Sequence, residues 1–100
     1  MAKDKQTIVD EIVAHINKEE GPFSGWYTGI TSDIDERLFG YHRVPKENHW
    51  FIWREAASNR DARNIESTLI NEYGTDGGSG GGDASSVYVY SYKKTGITNE

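Results

Sequence analysis

Apolar residues recur at helical spacing near the start of the chain, with charged residues on the opposite side. This pattern predicts an amphipathic helix over residues 4–20, which Gly21 and Pro22 end. A helix with an aliphatic stripe needs a partner surface, so we expect it to cover one face of a sheet. The stripe consists of Ile8, Val9, Ile12, Val13 and Ile16.

Two later segments alternate in the way that β-strands do, with successive side chains pointing to opposite faces. In residues 23–31, Tyr27 and Gly29 share a face, and the glycine leaves room for a close approach to the tyrosine. In residues 87–93 the valines point one way and the tyrosines the other. The sets that alternate are Trp26, Thr28 and Ile30 in the first strand and Tyr88, Tyr90 and Tyr92 in the last.

A third strand is predicted over residues 49–54, which are rich in aromatic side chains. Its apolar residues occur on both faces, which is typical of a strand that is covered on both sides. We therefore expect this strand to lie inside the sheet.

Two more helices are predicted where an apolar stripe follows a capping residue. The first begins at Ser32 or Asp33, and Arg37 and His42 lie on the two edges of its stripe. The second begins at Ser58 or Asn59, runs to residue 73 and ends at a glycine. The stripes are Ile34, Leu38 and Tyr41 in the first helix and Ala62, Ile65, Leu69, Ile70 and Tyr73 in the second.

The elements follow one another as helix, strand, helix, strand, helix, strand, without a visible internal repeat. This order predicts a single domain over residues 1–100, an α+β or α/β sandwich on a small sheet. The glycine-rich segment within residues 75–86 is expected to be a mobile surface loop.

Composition narrows the class of protein. The absence of cysteine excludes a disulfide framework, a thiolate nucleophile and a Cys-ligated metal. No apolar run approaches the roughly 20 residues that span a bilayer, and the start lacks a signal-peptide core, so we expect a cytoplasmic protein with no membrane partner.

The net charge of −5 argues against a general nucleic-acid binder. Basic residues do concentrate within residues 37–63, as one basic face or as ordinary solvated charges.

Glu66 is the most informative single residue, because helical geometry places it inside the apolar stripe of the last helix. An ionised carboxylate is costly to bury unless it is paired with a cation or binds a metal. Either an arginine pairs with it or it binds a hard cation, for which one protein carboxylate suffices when water and phosphate complete the coordination. Tyr27, Arg37 and His42, each taken alone, have ordinary structural explanations.

Taken together, these residues resemble the GIY-YIG nuclease family. The segment Tyr27-Thr28-Gly29-Ile30-Thr31, followed by Asp33 and Arg37, is similar to the second half of that motif. The helix around Glu66 is similar to the one that carries the metal-binding glutamate of the family, and residues 50–53 occupy the place of its third strand. The matching residues are roughly 24–73. We therefore assign residues 23–73 as the GIY-YIG-like part of the domain.

The resemblance implies an α+β fold with a small, mostly antiparallel three-stranded sheet flanked by three helices. It implies an endonuclease that hydrolyses nucleic-acid phosphodiester bonds with Mg²⁺ or Mn²⁺. Glu66 would bind the metal, Arg37 would hold the scissile phosphate, and Tyr27 would orient the attacking water. His42 or Tyr41 would match a histidine position on the helix of the arginine, His42 being one residue out of register.

The chain departs from the family at its start, because no Gly-Ile-Tyr strand precedes Tyr27. A permuted topology would repair this, with the C-terminal strand in the slot of the first strand and Tyr88, Tyr90 or Tyr92 supplying the missing phenol. Tyr90 is the candidate that we carry forward. The alternative is a catalytically degenerate scaffold that binds nucleic acid or a protein; a third is a phage-related effector that uses the scaffold for contacts.

Overall fold

The computed structural model describes residues 4–19, 22–41, 51–77 and 85–94. They form helix α1 (Lys5–Lys18), strand β1 (Trp26–Thr31), a π-helix (Asp35–Tyr41), strand β2 (Phe51–Glu55), helix α2 (Asn59–Thr68) with a π-helical end (Leu69–Tyr73), and strand β3 (Tyr88–Lys93). The three strands form one antiparallel sheet with helices against it, so the predicted α+β class is confirmed. None of the helices in these ranges has the length and apolar character needed to span a bilayer.

Capping residues start the helices where the sequence predicts. The Asp4 carboxylate accepts a hydrogen bond from the backbone N–H of Thr7 at 2.8 Å, which begins α1. The Ser58 hydroxyl likewise accepts from the N–H of Asp61 at 3.1 Å, which begins α2. Each cap gives a partner to a backbone donor that has none within the helix. Asp33 rather than Ser32 caps the π-helix.

The strand order is β1-β3-β2, so the C-terminal strand lies at the centre of the sheet. Our prediction that residues 49–54 lie inside the sheet is wrong: β2 is an edge strand, and its Trp53 is 41% exposed. Residues of β3 are buried on both faces, because a tyrosine ring adds as much apolar surface to one face as the valines add to the other. Apolar residues on both faces therefore did not distinguish these two strands.

The two faces of the sheet pack against different helices. On the α1–α2 face, Trp26, Ile30, Ile52 and Val89 pack with the apolar stripes of α1 and α2. On the opposite face, which we call the tyrosine face, the side chains of β3 pack with Leu38 of the π-helix. The sheet is therefore the middle of three layers. The members of the tyrosine-face cluster are Tyr27, Ile34, Leu38, Phe39, Phe51, Tyr90 and Tyr92.

The segment before β1 differs from its prediction as a strand. Phe23–Gly25 is a 3₁₀ turn, closed by a 3.0 Å hydrogen bond from the N–H of Gly25 to the carbonyl of Pro22. The strand begins only at Trp26. Proline has no N–H to offer to a β-ladder, and its fixed φ favours a turn at this point.

The glycine-rich segment is partly anchored to the sheet. After Gly74, which ends the last helix at a φ of 89°, the chain runs beside β1. Asp76 donates its N–H to the carbonyl of Trp26 and accepts from the N–H of Thr28, both at 2.8 Å. Thr75 and Ser86 are buried. The described ends of the predicted loop are therefore ordered by hydrogen bonds and packing, while residues 78–84 lie outside the described residues.

Candidate functional site

Three tyrosines form a continuous row on the tyrosine face. Tyr27 of β1 lies directly opposite Tyr92 of β3, and their rings stack with centroids 5.4 Å apart. Tyr90, two residues back on the same strand, stacks on Tyr92 with centroids 6.4 Å apart. We call Tyr27, Tyr92 and Tyr90 the tyrosine row. Tyr27 is half-buried, whereas Tyr90 and Tyr92 are buried.

Tyr90 approaches the backbone of β1 at Gly29, the residue that faces it in the antiparallel pairing. A Cβ atom on Gly29 would lie 2.6 Å from Cζ of Tyr90 and closer still to its hydroxyl. Real Cβ atoms do not come so near, so the phenol occupies space that only a glycine leaves open. The Tyr90 hydroxyl consequently lies over β1, two positions along the strand from Tyr27.

Arg37 lies on the helix that covers this same face. Its neighbour Leu38 is fully buried against Tyr90 and Tyr92, which fixes the π-helix onto the sheet. Arg37 is half-buried, and its backbone N–H donates to the carbonyl of Asp33 at 3.1 Å. The predicted site residues Tyr27, Tyr90 and Arg37 therefore share one side of the sheet.

Glu66 occupies the position in the apolar stripe of α2 that its spacing predicts. It is 7% exposed, and among the described residues its Oε2 atom has no hydrogen-bond partner. Burial raises the pKa of this carboxyl to about 7, opposed by the positive charge of Arg63. A buried carboxylate without a partner is costly, so Glu66 is either protonated or available to bind a cation.

Glu66 and the tyrosine row belong to different layers. The stripe residues beside Glu66, which are Ala62, Ile65 and Leu69, pack on the α1–α2 face. Tyr27 and Tyr90 lie on the other face. The sheet separates the two sets, and the outer edge of its strand β1 is paired with Asp76. His42 lies outside the described residues, as does the side chain of Tyr41.

The basic residues within 37–63 do not all form one face. Arg54 of β2 points to the α1–α2 face, where its Nε donates to Glu11 of α1 at 2.6 Å. Arg37 lies on the helix that covers the tyrosine face. These two cations are thus on opposite sides of the sheet.

A chain of buried hydroxyls was missed by the sequence analysis. Thr28 lies 2.9 Å from the hydroxyl of Thr75 and 2.8 Å from that of Ser91, and all three residues are buried. The signal was present, since Thr28 and Ser91 interrupt otherwise apolar faces of β1 and β3. These bonds tie the segment after Gly74 to the centre of the sheet.

Glu66 is the described residue best suited to a divalent metal, because its buried Oε2 is a carboxylate oxygen without a protein partner. Across the described ranges, no group of three or more His, Asp or Glu side chains is placed to hold an ion. Mg²⁺ often takes only one or two protein carboxylates and fills its octahedron with water and substrate phosphate. The described residues thus do not fit a closed protein cage, and an open site of that kind would require the buried Oε2 of Glu66 to reach solvent.

No protein-family model matches this chain, and no similar protein was found among curated proteins or among solved structures.

Proposed function

We propose that this chain is a GIY-YIG-like endonuclease that hydrolyses nucleic-acid phosphodiester bonds with Mg²⁺ or Mn²⁺. The observation that carries the proposal is the position of the Tyr90 phenol over Gly29, on the strand paired with that of Tyr27. The chain lacks the first tyrosine of the family motif in its usual place. In a permuted topology, a C-terminal strand beside β1 would supply that tyrosine.

Tyr27 is the phenol that meets solvent, since it is half-buried while Tyr90 is 3% exposed. A tyrosine hydroxyl both donates and accepts, so Tyr27 can hold a water molecule in line with a phosphate. Tyr90 would supply the second phenol beside Tyr27. Its close contact with Gly29 also holds β1 in place.

Arg37 carries a positive charge on the helix that covers the tyrosine face, and its planar guanidinium suits the oxygens of a phosphate. Its place on the π-helix puts it in the same layer as Tyr27. In the transition state this charge would stabilise the additional negative charge on the phosphate oxygens.

Glu66 would hold the metal through its Oε2 atom. When bound, such an ion polarises a phosphate oxygen and stabilises the charge on the leaving oxygen. Because Glu66 and Tyr27 lie in different layers, the substrate phosphate would have to lie along the β1 edge of the sheet to meet both. Part of that edge is paired with the backbone of Asp76, so the phosphate would have to pass over this segment.

The test is cleavage of plasmid, single-stranded DNA and RNA by the wild type and by Glu66→Gln, with Mg²⁺ or Mn²⁺. We expect the wild type to cleave at least one substrate and Glu66→Gln to lose more than about 100-fold in rate, as removal of a principal charge-stabilising group does. Tyr73→Phe is the control, because Tyr73 is exposed and its ring packs on Phe23. Equal cleavage by Glu66→Gln, with its circular dichroism unchanged, would contradict the role of Glu66.

A second candidate function is a degenerate scaffold that binds nucleic acid or a protein without cleaving it. The separation of Glu66 from the tyrosine row by the sheet favours it. The net charge of −5 favours a protein over a nucleic acid as the partner. No cleavage of any substrate by the wild type would leave this candidate in place of the nuclease.

A further inference from the structure

A groove at one end of the tyrosine face combines an exposed tryptophan and a half-buried tyrosine with carboxylates. It has a volume of about 270 Å³ and lies between the turn that follows β1 and the ends of β2 and β3. None of its residues belongs to the tyrosine row or to the proposed catalytic set. Its lining consists of Ser32, Asp33, Ile34, Asp35, Trp53 and Tyr88. We call it the Trp53 groove.

The aromatic wall of the groove is a T-shaped pair. The rings of Trp53 and Tyr88 have centroids 5.8 Å apart and an interplanar angle of 77°. In this arrangement each ring keeps at least one face that the other does not cover. Trp53 is 41% exposed although it is the larger ring. An exposed tryptophan beside a concave surface is typical of a binding site.

The opposite wall is acidic. Asp33 and Asp35 are both exposed, and Asp33 accepts one hydrogen bond from the N–H of Glu36 at 3.1 Å. Glu55 lies across from Tyr88 in the β-ladder, which adds a third carboxylate at this end of the sheet. The one arginine next to Trp53 in sequence, Arg54, turns to the other face and bonds Glu11. Among the described residues that line the groove, all the charge is negative.

The size of the groove limits what can fill it. Pockets for small molecules usually exceed about 300 Å³, so this one suits one or two side chains of a larger partner. A cation over an aromatic face is attracted by the ring, and nearby carboxylates add to this attraction. Arginine fits better than lysine, because its flat guanidinium can stack on a ring and bond a carboxylate at the same time.

We propose that the Trp53 groove binds an arginine side chain in a basic segment of a partner protein. Charge complementarity selects this occupant, since the carboxylates of Asp33 and Asp35 would repel the phosphates of a nucleic acid. The site is independent of the proposed nuclease chemistry, and it would serve either of the two candidate functions by recruiting a protein.

The test is a titration followed by the indole N–H signals of the three tryptophans in a ¹H–¹⁵N NMR spectrum. Trp53→Phe removes one signal and so assigns it. The probe is the peptide acetyl-Gly-Gly-Arg-Gly-Gly-amide, used up to about 10 mM because a single small site gives weak binding. The matched peptide carries citrulline, which keeps the shape of arginine without its charge. We expect the Trp53 signal to shift with the arginine peptide and to stay in place with the citrulline peptide.

Two variants then test the contribution of the acidic wall of the groove. Asp33→Asn and Asp35→Asn should each weaken the arginine peptide about 2- to 5-fold, as the loss of one exposed ion pair does. Asparagine also caps helices well, so Asp33→Asn keeps the start of the π-helix. Asp10→Asn, at an exposed position of α1, is the charge-matched control and should leave the affinity unchanged.

Three results would overturn the proposal. One is equal shifts with arginine and citrulline, and another is no shift of the Trp53 signal at the highest concentration. The third is a single-stranded DNA oligonucleotide that moves this signal and competes with the peptide. None of these results depends on cleavage activity, so the groove and the nuclease proposal fail separately.

Discussion

At the scale of single residues, Glu66 carries the clearest physical consequence. Its folded-state pKa of about 7 lies above the value of 4.5 for an unburied glutamate, because burial disfavours the charged form. Between these two values the unfolded chain has lost the proton that the folded chain keeps. Stability is therefore highest below pH 4.5 for this group and falls as the pH rises through 7.

We expect the wild type to lose stability relative to Glu66→Gln as the pH rises. The unfolding free energy of the wild type should fall, relative to that of the variant, by about 2 kcal/mol between pH 5 and pH 8, because each pH unit between the two pKa values costs roughly 1.4 kcal/mol. Urea unfolding of both proteins at the two pH values measures this, and the subtraction cancels the other titrating groups. A constant difference across this range would show that the carboxyl is not buried in the folded protein.

The sequence predicted the position of Glu66 on its helix but not the residues that surround it in the fold. Helical periodicity placed it in the stripe of α2, which is correct. Which face of the sheet that stripe covers depends on long-range packing, and no local pattern specifies it. The chain of three buried hydroxyls shows the same limit, because Thr75, which bonds Thr28, comes from a segment that was predicted to be a mobile loop.

At the scale of elements, the Tyr90 ring of β3 lies directly against the backbone of β1 at Gly29. Gly29→Ala should force the buried ring of Tyr90 to move, since the new methyl group would lie 2.6 Å from its Cζ atom. We expect a loss of about 1–3 kcal/mol in unfolding free energy, the usual range for overpacking. Gly25→Ala is the control, because nothing lies within 4 Å of a Cβ at that position. Denaturant unfolding that ranks the two variants equally would contradict the contact.

The elements themselves were largely predictable, and their arrangement was less so. The helices and strands follow from periodicity and capping, and α1 begins within one residue of its predicted start, with Asp4 as its cap. The order of strands was not predictable from pattern alone, because both β2 and β3 carry apolar residues on each face. The pairing of β1 with the C-terminal strand β3 joins segments far apart in the chain, and no local pattern specifies it.

At the scale of the whole molecule, the candidate catalytic residues lie in different layers of the three-layer fold. Tyr27, Tyr90 and Arg37 belong to the layer on the tyrosine face, and Glu66 belongs to the α1–α2 layer. A nuclease needs both layers to act on one phosphate at the edge strand β1. A binding scaffold needs only one exposed surface, for which the Trp53 groove is available.

The most direct measurement of the central claim is the cleavage rate of Tyr90→Phe beside that of Tyr73→Phe, on the substrate that the wild type cleaves. If Tyr90 supplies the missing phenol, its loss should slow cleavage at least about tenfold and up to 100-fold, while the control keeps the wild-type rate. Each change removes one hydroxyl and keeps the ring; because the Tyr90 hydroxyl is buried over Gly29, urea unfolding of Tyr90→Phe checks that its fold is intact. A Tyr90→Phe variant that is folded and cleaves as fast as the wild type, or a wild type that cleaves nothing, would contradict the account.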